Sequence, residues 1–134
     1  MIIAVTGWRH YTDGAFIRGH LNNFRGPFPL HIRVGDATGA DLFTLNWCQA
    51  NKISHHVFYA DWERYGKSAG AIRNVNMLNG VGDRIIGPTD LLLGFPRTDG
   101  MHSKVPGSGT FGCIIEATLL GIRVEIPAYK RSGD

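Results

Sequence analysis

Several short stretches of this chain carry residue types that can do chemistry. The fullest is Val34-Gly35-Asp36-Ala37-Thr38-Gly39-Ala40-Asp41, set between an apolar run (Leu30, Ile32, Val34) and a helical pattern (Leu42, Phe43, Leu45, Trp47, Ala50). Strand, glycine-bearing turn and helix in that order present backbone N–H groups and the positive end of a helix dipole to an anion. Asp41 falls in the first turn of the helix, as a helix-start charge or as a group facing a ligand. Thr6-Gly7-Trp8-Arg9 follows the first apolar run, and an arginine placed there can grip a phosphate with a forked pair of hydrogen bonds. Asp61-Trp62 offers a carboxylate for ribose hydroxyls and an indole for stacking on a base; the structural alternative is a helix cap followed by a core tryptophan. Arg73, beside Asn74, can neutralise phosphate or sit on a solvated helix face. Pro106-Gly107-Ser108-Gly109-Thr110 combines flexible backbone, two hydroxyls and a following helix, the ingredients of a phosphate cradle. It is not a P-loop, since no Gly-Lys-Ser/Thr stands at the required spacing. Glu116, a lone carboxylate in an apolar helical pattern, is either a buried acid or a solvent-facing one.

The elements that must position these groups alternate along the chain. Ile2 to Val5 reads as a strand buried on both faces, and Thr12 or Asp13 can cap a helix whose apolar face is Phe16, Ile17, Leu21 and Phe24. Gly26-Pro27 ends that helix. The second strand runs from about Leu30 to Val34, and its helix ends near Asn51. His55 to Tyr59 reads as a third strand, its two histidines pointing to opposite faces. A helix follows from about Ala69 to Leu78, with Ile72, Val75 and either Met77 or Leu78 inward. Within Asn79–Asp90, Arg84-Ile85-Ile86 fits either a turn of helix or a short strand. Leu91 to Phe95 is the fourth strand. Arg97 to Thr110 is a polar loop well beyond the roughly 2–6 residues usual at such junctions. A last helix carries Phe111, Ile114, Ile115, Ala117 and Leu120, and Ile122 to Ile126 forms a fifth strand. The alternation predicts an α/β class: a Rossmann-like parallel sheet of about five strands with helices on both faces. One domain over 1–127 is expected, with a C-terminal tail over 128–134. In such a sheet the polar, glycine-bearing segments that follow the strands gather at the C-terminal edge.

Composition narrows the partners. With 134 residues, 43% of them hydrophobic, the chain can bury one proper core. A net charge of +3, without any basic run, admits an anionic small molecule or nucleic acid and favours no nucleic-acid tail. Cys48 and Cys113 lie in apolar helical patterns, outside any CxxC, and read as buried free thiols of a cytoplasmic protein. No segment has a signal-peptide layout and none is long enough to span a membrane. The six histidines show neither HxxxH nor HExxH spacing, so no metal is expected; no cofactor is expected either.

Taken together, Thr6-Gly7-x-Arg9, Gly35-Asp36-Ala37-x-Gly39-Ala40-Asp41, Ala60-Asp61-Trp62 with Tyr65-Gly66, Ala69-Gly70, Arg73-Asn74 and Met77, and Gly109-Thr110 resemble the SLOG superfamily. More narrowly they resemble its small bacterial and phage YspA-type branch, over Met1 to about Pro127. The superfamily includes the Lonely Guy phosphoribohydrolases, a DNA-processing protein that loads recombinase on single strands, and nucleotide-sensing domains. The resemblance implies a Rossmann-like fold and a nucleotide or nucleotide-derived ligand. It places Gly7, Arg9, Gly35, Gly39, Ala40, Asp41, Arg73, Gly107, Ser108, Gly109 and Thr110 in the cleft. The hydrolases carry Pro-Gly-Gly-x-Gly-Thr-x-x-Glu; here position 113 is Cys113, and Glu116 comes three residues later.

Three readings follow. The first is a sensor or sequestering protein for a nucleotide-type molecule, with Asp36, Asp61, Trp62 and Asn74 completing the ligand site. The second is an enzyme cleaving a nucleotide N-glycosidic bond, for which Asp41, Asp61 and Glu116 are the candidate carboxylates. The third is a single-stranded nucleic-acid binder stacking bases on Trp8, Trp62 and Tyr65, which the modest charge favours least. Self-association as a homo-oligomer is expected, through apolar helix faces.

Overall fold

A computed structural model describes residues 1–98 and 109–131 of the chain. Five strands form one sheet: β1 (Ile2–Gly7), β2 (His31–Gly35), β3 (Ser54–Phe58), β4 (Leu91–Phe95) and β5 (Arg123–Glu125). Their order is β3-β2-β1-β4-β5 and every pairing is parallel. Between them run α1 (Gly14–Asn22), α2 (Ala40–Ala50), the single turn α3 (Trp62–Tyr65), α4 (Ala69–Asn79) and α5 (Gly109–Leu119). This is the expected Rossmann-like α/β architecture.

The period of two along the strands sorts side chains into two layers. Ile3, Val5, Ile32, Val34, Leu91, Leu93 and Phe95 pack with Ile17, Leu21, Trp47 and Cys48 of α1 and α2. Ala4, Leu92 and Phe58 pack with Met77, Leu78, Cys113 and Ala117 of α4 and α5 on the opposite face. Each fully buried aliphatic side chain contributes roughly 1.5–3 kcal/mol of transfer free energy. Because β1 sits between β2 and β4, the chain leaves its two sides toward opposite faces, which opens a crevice between the ends of β1 and β4.

Local chemistry moves several boundaries. Asp13 caps α1, accepting a hydrogen bond from Phe16 N at 3.2 Å, but the helix ends at Asn22, ahead of Gly26-Pro27. The third strand begins at Ser54 and stops at Phe58, leaving Tyr59 exposed, and β5 is shorter than expected because only Arg123–Glu125 find partners on β4. On α4, Asn74 is buried and Val75 is exposed, while Met77 and Leu78 both enter the core; the helix is rotated from the expected phase. Tyr129, in the expected tail, packs its ring edge-on to Phe16 and donates its hydroxyl to Asp13 at 2.9 Å.

The connection 80–90 forms neither a helix turn nor a strand. It is held instead by Arg33, a fully buried arginine in β2. Its guanidinium donates to Asp83 (2.8 Å), Thr89 (3.1 Å) and the carbonyls of Ile85 (3.0 Å) and Gly87 (2.9 Å). His31 adds a 2.7 Å contact to the same Asp83 oxygen and a second to Ser54. Burial pushes the Asp83 carboxyl up, yet hydrogen bonds from Arg33, Ile85 N–H and His31 outweigh it and hold the group below the usual range. A buried cation so fully bonded replaces the backbone ladder that an irregular segment lacks.

Among the described residues no helix is long and apolar enough to cross a membrane.

Candidate functional site

The parallel register brings Gly7 level with Phe95 and Gly35 level with Phe58, so the loops after β1 to β4 leave from one edge. Two clusters form there.

The first joins the loop after β1 to the start of α2. Trp8 N donates to Phe95 O at 2.9 Å, while Trp8 O accepts from Tyr11 N (3.1 Å) and Ala40 N (3.2 Å). Thr38 Oγ1 donates to Arg9 O at 2.8 Å. Gly39 has φ +67°, and a Cβ there would lie 2.5 Å from the Trp8 and Arg9 carbonyl oxygens. A Cβ on Gly7 would lie 2.4 Å from that of Ala40. Gly7, Gly39 and Ala40 are therefore close-packing positions: they let two loops touch backbone to backbone, and the Ala40 N–H is already bonded. Arg9 is exposed, and its Nε lies 3.3 Å from His10 Nε2. The Arg97 guanidinium stands over the Trp8 ring, 5.3 Å from its centroid.

The second cluster lies at the end of β2. Gly35 is buried without a side chain, and the space is filled by Arg73 of α4 and Asp41 of α2: a Cβ on Gly35 would fall 2.7 Å from Arg73 Nη1 and 2.7 Å from Asp41 Oδ2. Arg73 Nη1 donates to Asp36 Oδ1 at 2.5 Å, and its Nε donates to Asn74 Oδ1 at 2.9 Å. Asn74 in turn donates to Gly109 O, at 3.4 Å, tying α4 to the first residue of α5. Asp36 also accepts from Ala60 N at 3.3 Å, which brings the loop after β3 to the same place.

Asp41 is 5% exposed. Burial drives its pKa up from 3.8 to about 6, against the pull of Arg73 and of the Ala37 N–H it accepts from at 3.1 Å; the Asp36 charge adds to the rise. Asp41 thus changes protonation near neutral pH, which an ordinary carboxylate does not. Cys113 lies below the cluster with Thr6 as hydrogen-bond partner. Burial pushes its thiol up to about 12, so it is no nucleophile at neutral pH. The charges of Arg73, Asp41 and Glu116 all reach it, and Glu116 itself is half-buried.

The remaining expected residues divide. Asp61 caps α3 by accepting from Arg64 N at 3.1 Å, while Trp62, far from being a core residue, is 59% exposed. Thr110 is buried and Gly109 is exposed at the start of α5; Gly107 and Ser108 lie outside the described residues. Sequence reasoning missed Arg97 and the part Trp8 plays with it. The available signal was an arginine two residues past the end of a buried strand. An apolar groove of about 520 Å³, lined by Met1, Phe24, Phe28 and Leu30, lies at the opposite, N-terminal edge of the sheet and brings no ionisable side chain to these clusters.

The chain is similar to the "Gene 61 protein" of Mycobacterium phage D29, 29% identical across 129 aligned residues covering 91% of this chain and 92% of that protein. No family model matches the chain, and no solved structure matches it.

Proposed function

We propose that this protein binds a nucleotide or a nucleotide-derived molecule at the C-terminal edge of its sheet, as a sensor or sequestering protein of the SLOG, YspA-type kind. The observation that carries this reading is the Asp36–Arg73–Asp41 cluster over Gly35. Burying the Asp41 carboxylate and much of the Arg73 guanidinium at a strand end, beside the exposed Asp36, costs desolvation, and a hydrophobic replacement would serve stability as well. Such groups, with one carboxyl shifted to about 6, favour a functional site when they stand, as here, at the C-terminal edge of an open α/β sheet, on the strand next to its β1/β4 crevice. Asp36 and Asp41 supply acceptors for ribose hydroxyls, and exposed Trp62 supplies a stacking face. The start of α5 and the first loops lie at the same edge for a phosphate. The test is calorimetric titration with nucleoside mono-, di- and triphosphates, NAD, cyclic ADP-ribose-type molecules and cyclic dinucleotides, followed by chromatography. Saturable binding with the ligand recovered intact supports the reading; no binding by any of them overturns it.

Asp41 favours a second reading, an enzyme cleaving a nucleotide N-glycosidic bond. A carboxyl with a pKa of about 6 can hold or release a proton near neutral pH beside a leaving base. Released base or ribose phosphate in the same chromatograms, abolished by Asp41→Asn, establishes it; base release unchanged in Asp41→Asn, Asp61→Asn and Glu116→Gln removes it. Self-association belongs to this proposal too: Ile115 and Leu119 of α5, with Leu120 just beyond it, are exposed apolar side chains, and light scattering reads the oligomer directly.

A further inference from the structure

We infer that the chain carries a second reactive site, at the edge of the sheet opposite the nucleotide reading: Ser54, His31 and Asp83 form a nucleophile, base and carboxylate relay that cleaves a carboxylic ester through an acyl-serine. The strand register builds it. His31 opens β2 and Ser54 opens β3, and the two are paired Cα to Cα, so their side chains leave the same face of the sheet. Ser54 Oγ lies 2.7 Å from His31 Nδ1, and His31 Nε2 lies 2.7 Å from Asp83 Oδ2. Both distances fall within the roughly 2.6–3.2 Å that links a nucleophile to its base and a base to the group that orients it.

The protonation pattern follows from the carboxylate. Asp83 Oδ2 also accepts from Arg33 Nε at 2.8 Å, and Oδ1 accepts from Ile85 N at 3.0 Å. Against the desolvation that raises it, these donors hold the carboxyl below its usual range, so at neutral pH it has no proton to give. The proton of the His31–Asp83 contact is therefore on His31 Nε2. A neutral ring protonated at Nε2 presents a lone pair at Nδ1, and the Ser54 hydroxyl donates to it. The ring is entered in the reverse sense to the serine-protease triad, whose base is Nε2, but the three roles are the same. Arg33 also offsets part of the Asp83 charge. The carboxylate thus orients the imidazole more than it strengthens it, and a slow hydrolase is the expected outcome.

Access decreases inward along the relay. Ser54 is exposed, His31 is 6% exposed and the Asp83 side chain 1%. A substrate meets the hydroxyl, while the base is largely shielded from water. Ser54 lines an open cleft of about 490 Å³, together with the apolar Phe28, Leu30 and Ile53 and the cationic Arg25 and Lys52. A hydrogen-bond chain that served the fold alone would have no need to end on an exposed hydroxyl in a cleft. The apolar residues fit an acyl chain, and the cations bring positive charge to the cleft in which the carbonyl oxygen turns anionic. The partner of Arg25 Nη1 is the neutral Asn51, which leaves the arginine's charge in place. In the first step Ser54 Oγ bonds to the carbonyl carbon as its proton passes to His31 Nδ1. The ester C–O bond then breaks, and His31 returns that proton to the leaving alcohol. Water attacks the acyl-serine, giving its proton to Nδ1, and the acid departs as Ser54 recovers the proton. The sum is ester plus water to acid plus alcohol.

The experiment treats the full chain with a fluorophosphonate probe and, separately, with p-nitrophenyl butyrate. Mass spectrometry is expected to place the phosphonate on Ser54. Ser54→Ala should lose the label and release p-nitrophenol at the rate of buffer alone. His31→Gln should slow both reactions by about a hundredfold or more, the loss of a general base. Ser68→Ala, which changes another exposed serine, should match the wild type. Melting temperatures show that the variants are folded at the assay temperature. The positioning part given to Asp83 is read without any substitution, by long-range proton–nitrogen NMR of the wild-type imidazole at about pH 8, above the ordinary histidine range. The Nε2–H tautomer of His31 is expected there. The inference is overturned by an unlabelled Ser54, by ester turnover that survives Ser54→Ala, or by an Nδ1–H tautomer, which would leave the hydroxyl without a base.

Discussion

The guanidinium of Arg73 occupies the place where a side chain on Gly35 would be: a Cβ there would come within 2.7 Å of Nη1 and 2.9 Å of Cζ. Glycine at the end of β2 is thus a requirement of the charged cluster, and the cluster joins β2, α2 and α4 into one charged site. Gly35→Ala should leave the fold intact, lower its stability by about 1–3 kcal/mol through overpacking, and reduce ligand binding by displacing Arg73. Gly19→Ala in α1 is the control, because a Cβ there meets nothing within 4 Å and α1 carries none of the candidate site residues. Denaturant melts and titration calorimetry on both variants check the contrast; equal binding by Gly35→Ala would separate the cluster from the ligand.

Stability should depend on pH through Asp41 in a defined direction. Its carboxyl rises from 3.8 to about 6 on folding, so between those values the folded chain keeps a proton that the unfolded chain has released. Stability contributed by this group is therefore full below about 4 and falls as pH rises to about 6, by roughly 3 kcal/mol. Asp41→Asn lacks that fall. Urea melts of both proteins at pH 4, 5, 6 and 7 should show the variant gaining on the wild type across the window; parallel curves would show that Asp41 is not shifted.

Asp83 acts with the opposite sign. Its carboxyl is held below 3.8, so its stabilisation is present above that value and lost as pH falls through the lower, folded-state pKa. Removing the charge at neutral pH leaves Arg33 buried without its counterion. Asp83→Asn should cost about 3–5 kcal/mol in a urea melt at pH 7. A loss under 1 kcal/mol would show that the three other acceptors of Arg33 suffice.

Trp62 separates binding from folding. Its ring is largely exposed, so Trp62→Ala should change stability by no more than about 0.5 kcal/mol. Ligand affinity should fall by about 1–3 kcal/mol if the base stacks on the indole. Calorimetry with the best nucleotide from the panel decides this; unchanged affinity removes Trp62 from the site.

The sheet was legible in the sequence because its strands are written as apolar runs: Ile2-Ile3-Ala4-Val5 and Leu91-Leu92-Leu93-Gly94-Phe95 have no other economical reading. Arg33 was not legible. One arginine in a strand resembles an exposed edge position, and its partner Asp83 lies 50 residues away in a segment without regular structure. The residues of the candidate site were largely legible as types, and the relations among them were not. Arg73 and Asp36 stand 37 residues apart and meet only because β2 and α4 share a face. Gly39 and Ala40 carried a ligand-loop signature, but their tight contacts serve the packing of Trp8 and Arg9. The phase of α4 misled for a simpler reason: Val75 is the more apolar residue, yet Asn74 is the one with hydrogen-bond partners for both ends of its amide.

The most direct measurement is a thermal-shift panel of nucleotides run on the wild type and on Arg73→Ala side by side. At about 100 times its dissociation constant a bound nucleotide stabilises the fold by roughly 2.7 kcal/mol, a shift of several degrees. The account predicts that at least one nucleotide raises the wild-type melting temperature and that the same nucleotide leaves Arg73→Ala where it was. No shift in the wild type, or equal shifts in both proteins, would contradict it.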